Sequence, residues 1–378
     1  MKEKTKTCNW GRAPWTINFR AREIPLPDEV DFAVIGGGFT GLSAAAWLKR
    51  IAPDKRTALF EADNVGAGSS GHTGGMTLAE TAAGDLPGLG DVLEGFSRIQ
   101  KDLEIDCDHS LPGAWELARK DVLPSSEIMW TDSGNLGVTK EVPGGTANPG
   151  KLVSGLARAA EGAGAQIFEH AGVENILWET PAILTVRGKK IKANRLLVAT
   201  NAESLELSAL SEIAVPKFTL ALATEPLTES QLRAVGLDLR KPFYTTDLPY
   251  LWGRPLHDNQ VIFGSGLVHL NTWRDLYNID VESGEASALM RLLETRVRGL
   301  HPELAAVGLT NKWGGPILIA KEWSPVFSHH PQSKNAIVLG AYSGHGVALS
   351  VYLGKWAAEA MTGTRKVPEW NAPVENKV

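Results

Sequence analysis

The chain has 378 residues, with 38 basic and 43 acidic side chains and a formal net charge of −5. Hydrophobic residues at 43% and charged residues at 21% match a globular average, which excludes a disordered or fibrous chain and allows about two domains. The acidic balance speaks against nucleic acid as a partner, because phosphate binding needs a basic surface. Glycine is in excess at 39 residues, about 10% against an average of about 7%. Two cysteines, Cys8 and Cys107, are too few for a disulfide framework, so a reducing cytoplasm is the expected compartment. The N-terminus lacks the apolar core of a signal peptide, and the longest uncharged run, 32–48, is too short and glycine-broken for a membrane span.

In chain order, residues 1–29 read as a Trp- and Pro-punctuated arm over the body. The apolar run Asp31–Ile35 then suits a buried parallel strand, and Gly36-Gly-Gly-Phe-Thr-Gly41 leads into a helix. A second strand, Thr57–Glu61, completes a βαβ unit. A helix is expected from Asp91 to Lys120, and Asn148-Pro149 starts another. Strands follow at 165–170, 173–179, 182–188 and 190–200, with a tight turn at Gly188-Lys189. Residues 216–320 alternate strands and helices, with a helix near 282–299. Ala336–Leu339 reads as a strand, followed by a glycine turn and a helix to about Met361.

In Gly36-x-Gly38-x-x-Gly41 the glycines allow a tight turn, close approach of a pyrophosphate to the backbone, and close helix–strand packing. The helix start at Phe39 and Thr40 presents free N–H groups to phosphate. Glu61, at the end of the next strand, is placed to accept hydrogen bonds from ribose hydroxyls, which leaves FAD or NAD as the ligand. The plain alternative is a glycine turn with no ligand.

Three further stretches carry a family resemblance. Gly66-Ala-Gly-Ser-Ser-Gly-His-Thr-Gly-Gly75 resembles the GxGxSGRNGG segment of FAD-dependent amine oxidases in the D-amino-acid-oxidase superfamily. Val173 and Leu197-Val-Ala-Thr-Asn-Ala202 are similar to its adenine-contacting strand and domain-closing turn, and Gly340–Ala348 to its C-terminal glycine turn facing the isoalloxazine. Ile105–Asp108, Trp313–Gly315 and the Trp-bearing arm bring the likeness nearest to γ-glutamylputrescine oxidase-like amine oxidases. The likeness runs from about Trp15 to Gly363, although the stretch between Ala118 and Asn148 is shorter than in typical members.

The resemblance implies an α/β fold: a Rossmann-like FAD domain of the glutathione-reductase kind, with an inserted α+β substrate domain. The expected division is 1–90, 146–215 and 322–378 for the FAD domain, and 91–145 and 216–321 for the substrate domain. The implied FAD contacts are Gly36, Gly38, Phe39, Thr40, Gly41 and Glu61 in the first unit. In the second glycine-rich segment they are Gly68, Ser69, Ser70, His72, Thr73 and Gly74. Val173, Ala199 and Thr200 follow, and the C-terminal turn adds Gly344, His345, Gly346 and Val347.

His72 also matches the G-S-T-x-H-x-x-G segment of dimethylglycine dehydrogenase-like enzymes, whose histidine carries the flavin; a covalent link and a non-covalent contact both stay open. The family's other linkage, through a late cysteine, does not fit Cys8 or Cys107. His345 either adds to the positive helix end at the flavin or caps the turn.

On the substrate side, period-2 alternation places Tyr250, Trp252 and Arg254 on one strand face. They form either an aromatic slot with a cationic end for a carboxylate or a packed core with an outward arginine. Sarcosine oxidases carry an oxygen-activating lysine where this chain has Ile262, and Lys321 is either a substitute or a surface lysine. The adjacent His329 and His330 have no third ligand in view, so no metal is expected.

The implied reaction is hydride transfer from an amine or amino-acid derivative to flavin N5, with hydrolysis of the imine and reoxidation by molecular oxygen to give hydrogen peroxide. A dehydrogenase for an N-methyl amine or 2-hydroxy acid with another acceptor, and a non-enzymatic flavin-binding protein, are the other readings. The oligomeric state is left open.

Overall fold

The computed structural model describes residues 8–119 and 126–370. Residues 1–7 of the expected arm, Lys120, part of the short stretch after Ala118, and the tail 371–378 lie outside the described residues.

The first strand, Glu29–Ile35, is buried along nearly its whole length and pairs in parallel with Thr57–Phe60 on one side and Lys189–Val198 on the other. A continuous Phe-Ala-Val-Ile run suits this position, because a parallel strand between two helical layers meets apolar surroundings on both faces. Gln166–Phe168 and Ser333–Gly340 extend the parallel sheet, and Val326–His330 closes one edge antiparallel. The strands Val173–Leu177 and Ala182–Val186 form an antiparallel flap on Lys189–Val198.

The helices Phe39–Ile51, Pro149–Gly162 and Gly346–Thr362 bury their apolar faces in one core with this sheet. Asn148 caps the middle one by accepting a hydrogen bond from the Lys151 backbone N–H, with Pro149 in the first turn.

A second sheet runs in the order Leu309–Ala320, Ala214–Thr224, Val261–Val268, Trp252–Pro255, Phe243–Thr245, Ala114–Ala118, Asn135–Val142, Met129–Thr131. It is antiparallel except where Phe243–Thr245 meets Ala114–Ala118. Helix Gly284–Leu300 lies against it. This strand membership supports the proposed division into an interleaved nucleotide unit and an inserted unit.

Three expectations need correction. The helix begun at Asp91 ends at Asp102, and Ala114–Ala118 is a strand, held by pairing on both edges. That helix also packs with the nucleotide unit: Phe96 and Ile99 are buried in its core, and the ring of Tyr352 lies over Gly95. The tight turn is Arg187-Gly188, where both residues have positive φ, because the next strand already starts at Lys189.

Candidate active site

A cavity of about 850 Å³ runs from the C-terminal end of strand Glu29–Ile35 to the face of the second sheet. At its nucleotide end, Gly36 has φ +107°, and a side chain on Gly41 would collide with the Gly36 carbonyl. The helix Phe39–Ile51 therefore starts hard against the turn, and Gly36–Thr40 line the cavity. Gly41 itself lies beneath the cavity rather than on its wall.

Glu61 accepts a hydrogen bond at each oxygen, from the backbone N–H of Gly37 (2.6 Å) and of Asp63 (2.8 Å). Burial nevertheless pushes its carboxyl up to about 7, with the charges of Glu203 and Asp63 adding to the effect. Nearby, Tyr277 donates to Glu203 (2.8 Å), and both line the cavity.

The second glycine segment forms one turn of helix, Ser69–His72. Ser70 accepts from the Phe39 N–H (2.9 Å), and Ser69 is tied to the Pro316 carbonyl (2.7 Å) and to the Asn201 amide (3.1 Å). Three tryptophans grip this turn from outside. Trp15 donates to the Gly71 carbonyl (2.7 Å), Trp313 donates to the His72 carbonyl (3.0 Å), and the edge of Trp10 meets the His72 ring at 5.3 Å. The His72 ring lines the cavity, with Nδ1 at 2.9 Å from the Gly68 carbonyl.

Gly68, Ser69, Ser70, Thr73, Gly74, Val173, Ala199 and Thr200 also line the cavity. On the far side the turn before helix Gly346–Thr362 has Ala341, Ser343 and Gly344 in the left-handed region. Gly344, His345, Gly346 and Val347 face the cavity. Burial holds the His345 imidazole below its ordinary pKa, partly countered by its Ser343 hydrogen bond and the Glu80 charge.

At the second sheet, Trp252 forms the wall, its ring wedged against Gly74 and Gly264, where any side chain would overlap it. Tyr250 is at the mouth, just before the strand rather than on it, and 46% exposed. Arg254 is a correction. It does not reach the cavity: Nε donates to the Gly74 carbonyl (2.6 Å) and Nη2 to the Ala147 carbonyl (3.1 Å). The strand alternation is real, but the guanidinium meets backbone carbonyls of two other segments, and burial lowers its pKa to about 10. Ile262 is fully buried, and Lys321 is an exposed residue outside the cavity lining.

Residues 31–360 match the family model described as FAD dependent oxidoreductase. The chain belongs to this family. Among its relatives, gamma-glutamylputrescine oxidoreductase of Escherichia coli (strain K12) is 27% identical, over 88% of this chain and 84% of that protein. The 4-methylaminobutanoate oxidase (formaldehyde-forming) of Paenarthrobacter nicotinovorans is 26% identical over 90% of this chain and 44% of that protein. The fold matches glycine oxidase from Geobacillus kaustophilus with a TM-score of 0.72 at 17% identity, covering 91% of this chain and 98% of that one.

The residues of this oxidoreductase fit FAD. Two helices open on the same cavity, and neither has a side-chain cap or an acidic residue in its first turn, so both offer a positive end. Thr200 and Ser350 also line the cavity, and their buried hydroxyls have no partner among the described residues. Sequence reasoning passed over several lining residues. Asn201 and Tyr342, which is bonded to Thr40 Oγ1 at 2.6 Å, sit inside stretches already singled out. Tyr244, Tyr277 and Trp323 carry no local motif; they come from strand Phe243–Thr245, the short 3-10 helix Trp273–Asn278 and the turn after strand Leu309–Ala320.

Proposed function

We propose that the protein oxidises a C–N bond of a small amine and passes the electrons to molecular oxygen, yielding hydrogen peroxide and an imine that water hydrolyses. FAD supplies the hydride acceptor at N5. The observation that carries the reading is one cavity joining a dinucleotide cradle to an aromatic wall, with the helix Gly346–Thr362 pointing its positive end between them. The amine named for the Escherichia coli relative supports the substrate class.

The chain's own groups bind and orient the substrate. Trp252, locked by Gly74 and Gly264, offers a rigid face that fixes the substrate's approach and excludes water. His345, whose imidazole burial holds below its ordinary pKa, stands at the positive end of helix Gly346–Thr362 with Nδ1 3.4 Å from the Ser343 carbonyl and helps orient the substrate there. His72, with Nδ1 bonded to Gly68, presents its ring to the cofactor side, and a covalent link there is part of the proposal. Acid denaturation leaves yellow colour on the chain if the link exists and releases free flavin if it does not.

Ile262 favours a second reading, a dehydrogenase for an N-methyl amine or 2-hydroxy acid with another electron acceptor, because a buried aliphatic side chain cannot supply charge for oxygen activation. Peroxide release on turnover separates the two. Neither cysteine forms a disulfide, in keeping with the cytoplasm as the proposed compartment, and among the described residues no helix is long and apolar enough to cross a membrane.

A further inference from the structure

We propose that the cavity selects amines bearing no carboxylate on the carbon to be oxidised; this rests on the amine-oxidation reading and narrows its substrate class. Carboxylate recognition in a dry cavity needs a guanidinium or ammonium that can turn its donors to the ligand. Among the described residues three arginines come near this cavity, and each is committed elsewhere.

Arg254 stands behind the Trp252 wall, only 6% exposed, with its donors on the Gly74 and Ala147 carbonyls. Arg119 and Arg296 lie behind the mouth, and both grip the buried carboxylate of Asp132 at 2.6 Å. Arg119 also holds Asp247 (2.6 Å) and the Pro249 carbonyl, while Arg296 holds the carbonyls of Pro249 and Tyr250. Two arginines facing two aspartates leave no net positive charge, and a substrate carboxylate would have to break this knot to be recognised.

The side chains that do face the cavity favour a cation with an apolar body. Tyr244 and Trp252 line the interior, Tyr250 and Trp323 line it from more exposed positions, and the exposed Leu248 and Leu267 complete an apolar rim. Tyr244 donates to Glu116 at 3.1 Å. After burial, the Glu116 and Glu80 charges help push the Tyr244 hydroxyl's ionisation up, which marks a negative field there. Glu80 acts on His345 in the same sense, and the counter-charge near Glu116 is the exposed Lys140, 3.9 Å away. Such a field draws in ammonium groups and repels carboxylates.

The test uses the FAD-loaded protein without oxygen, titrated with benzylamine and benzoate and with butylamine and butyrate, following the flavin's visible spectrum. The amine of each pair is expected to bind at least about tenfold more tightly than its carboxylate, a difference of about 1.4 kcal/mol. Equal or tighter carboxylate binding overturns the inference, as does silence of both amines. Arg254→Met should leave the ratio of benzylamine to benzoate affinity within about twofold, and a tenfold loss for benzoate with benzylamine affinity unchanged would make Arg254 a carboxylate clamp and overturn the inference. Binding shifts the oxidised flavin's bands whereas oxidation of the amine bleaches them, so binding with no bleaching by any amine would count against the oxidation reading and not against this selectivity.

Discussion

Glu61 illustrates how one residue carries both a legible and an illegible property. Its place at the strand end, 20 residues after Gly41, could be read from spacing; its protonation could not, because that depends on burial and on Glu203, which folds in from another segment. Its folded pKa of about 7 lies above the ordinary 4.5, so the folded apoprotein holds a proton that the unfolded chain releases. The stability this contributes is complete below about pH 4.5 and is lost as pH rises through 7. Glu61→Gln should therefore flatten the fall in the apoprotein's melting temperature between pH 5 and pH 8; an unchanged slope would show that Glu61 does not titrate there. Arg254 teaches the complementary lesson. Period-2 alternation placed it on the right face, yet what a guanidinium touches depends on carbonyls from Gly74 and Ala147, far away in sequence.

At the scale of elements, the βαβ unit was legible because a doubly buried strand and a glycine-started helix each leave a local pattern. The strand Ala114–Ala118 was not. Ala-Trp-Glu-Leu-Ala is good helix material, and pairing with Phe243–Thr245 and Asn135–Val142 overrides that propensity. The N-terminal arm was visible as tryptophan-rich, but its work as a clamp on the Gly71-His72 turn is tertiary. Trp15→Phe keeps an apolar ring and removes the donor to the Gly71 carbonyl. It should weaken FAD binding by roughly five- to tenfold, as the loss of one hydrogen bond of about 1 kcal/mol implies, measured by flavin fluorescence on reconstitution. Unchanged affinity would show that the arm does not support the cofactor turn. The knot of Arg119, Asp132 and Arg296 belongs to the same scale, since it ties the end of strand Ala114–Ala118 and helix Gly284–Leu300 to the cavity mouth. Asp132→Asn leaves the nearly buried Arg296 without its anionic partner, while Arg119 keeps Asp247, and should cost about 3 kcal/mol, seen as a clear drop in the thermal unfolding midpoint; a shift of under a degree would contradict the role given to it.

Across the whole molecule, two sheets built from interleaved stretches of chain meet at one cavity, and each contributes what the other lacks. The first provides helix ends and a buried carboxyl held by two backbone N–H groups for a dinucleotide; the second provides the aromatic wall and the mouth. The glycine excess evident in the composition serves this meeting, at the helix start near Gly41 and where Trp252 presses on Gly74 and Gly264. Cofactor and fold were readable because they rest on local backbone demands, whereas the substrate end is assembled from side chains of separate strands. Oxidation of an amine by this cavity is tested most directly by mixing the FAD-loaded protein anaerobically with a panel of amines and hydroxy acids, then admitting oxygen. The account predicts that amines bleach the visible flavin band and that oxygen restores it with release of hydrogen peroxide. Bleaching by 2-hydroxy acids alone, or by no member of the panel, would contradict it.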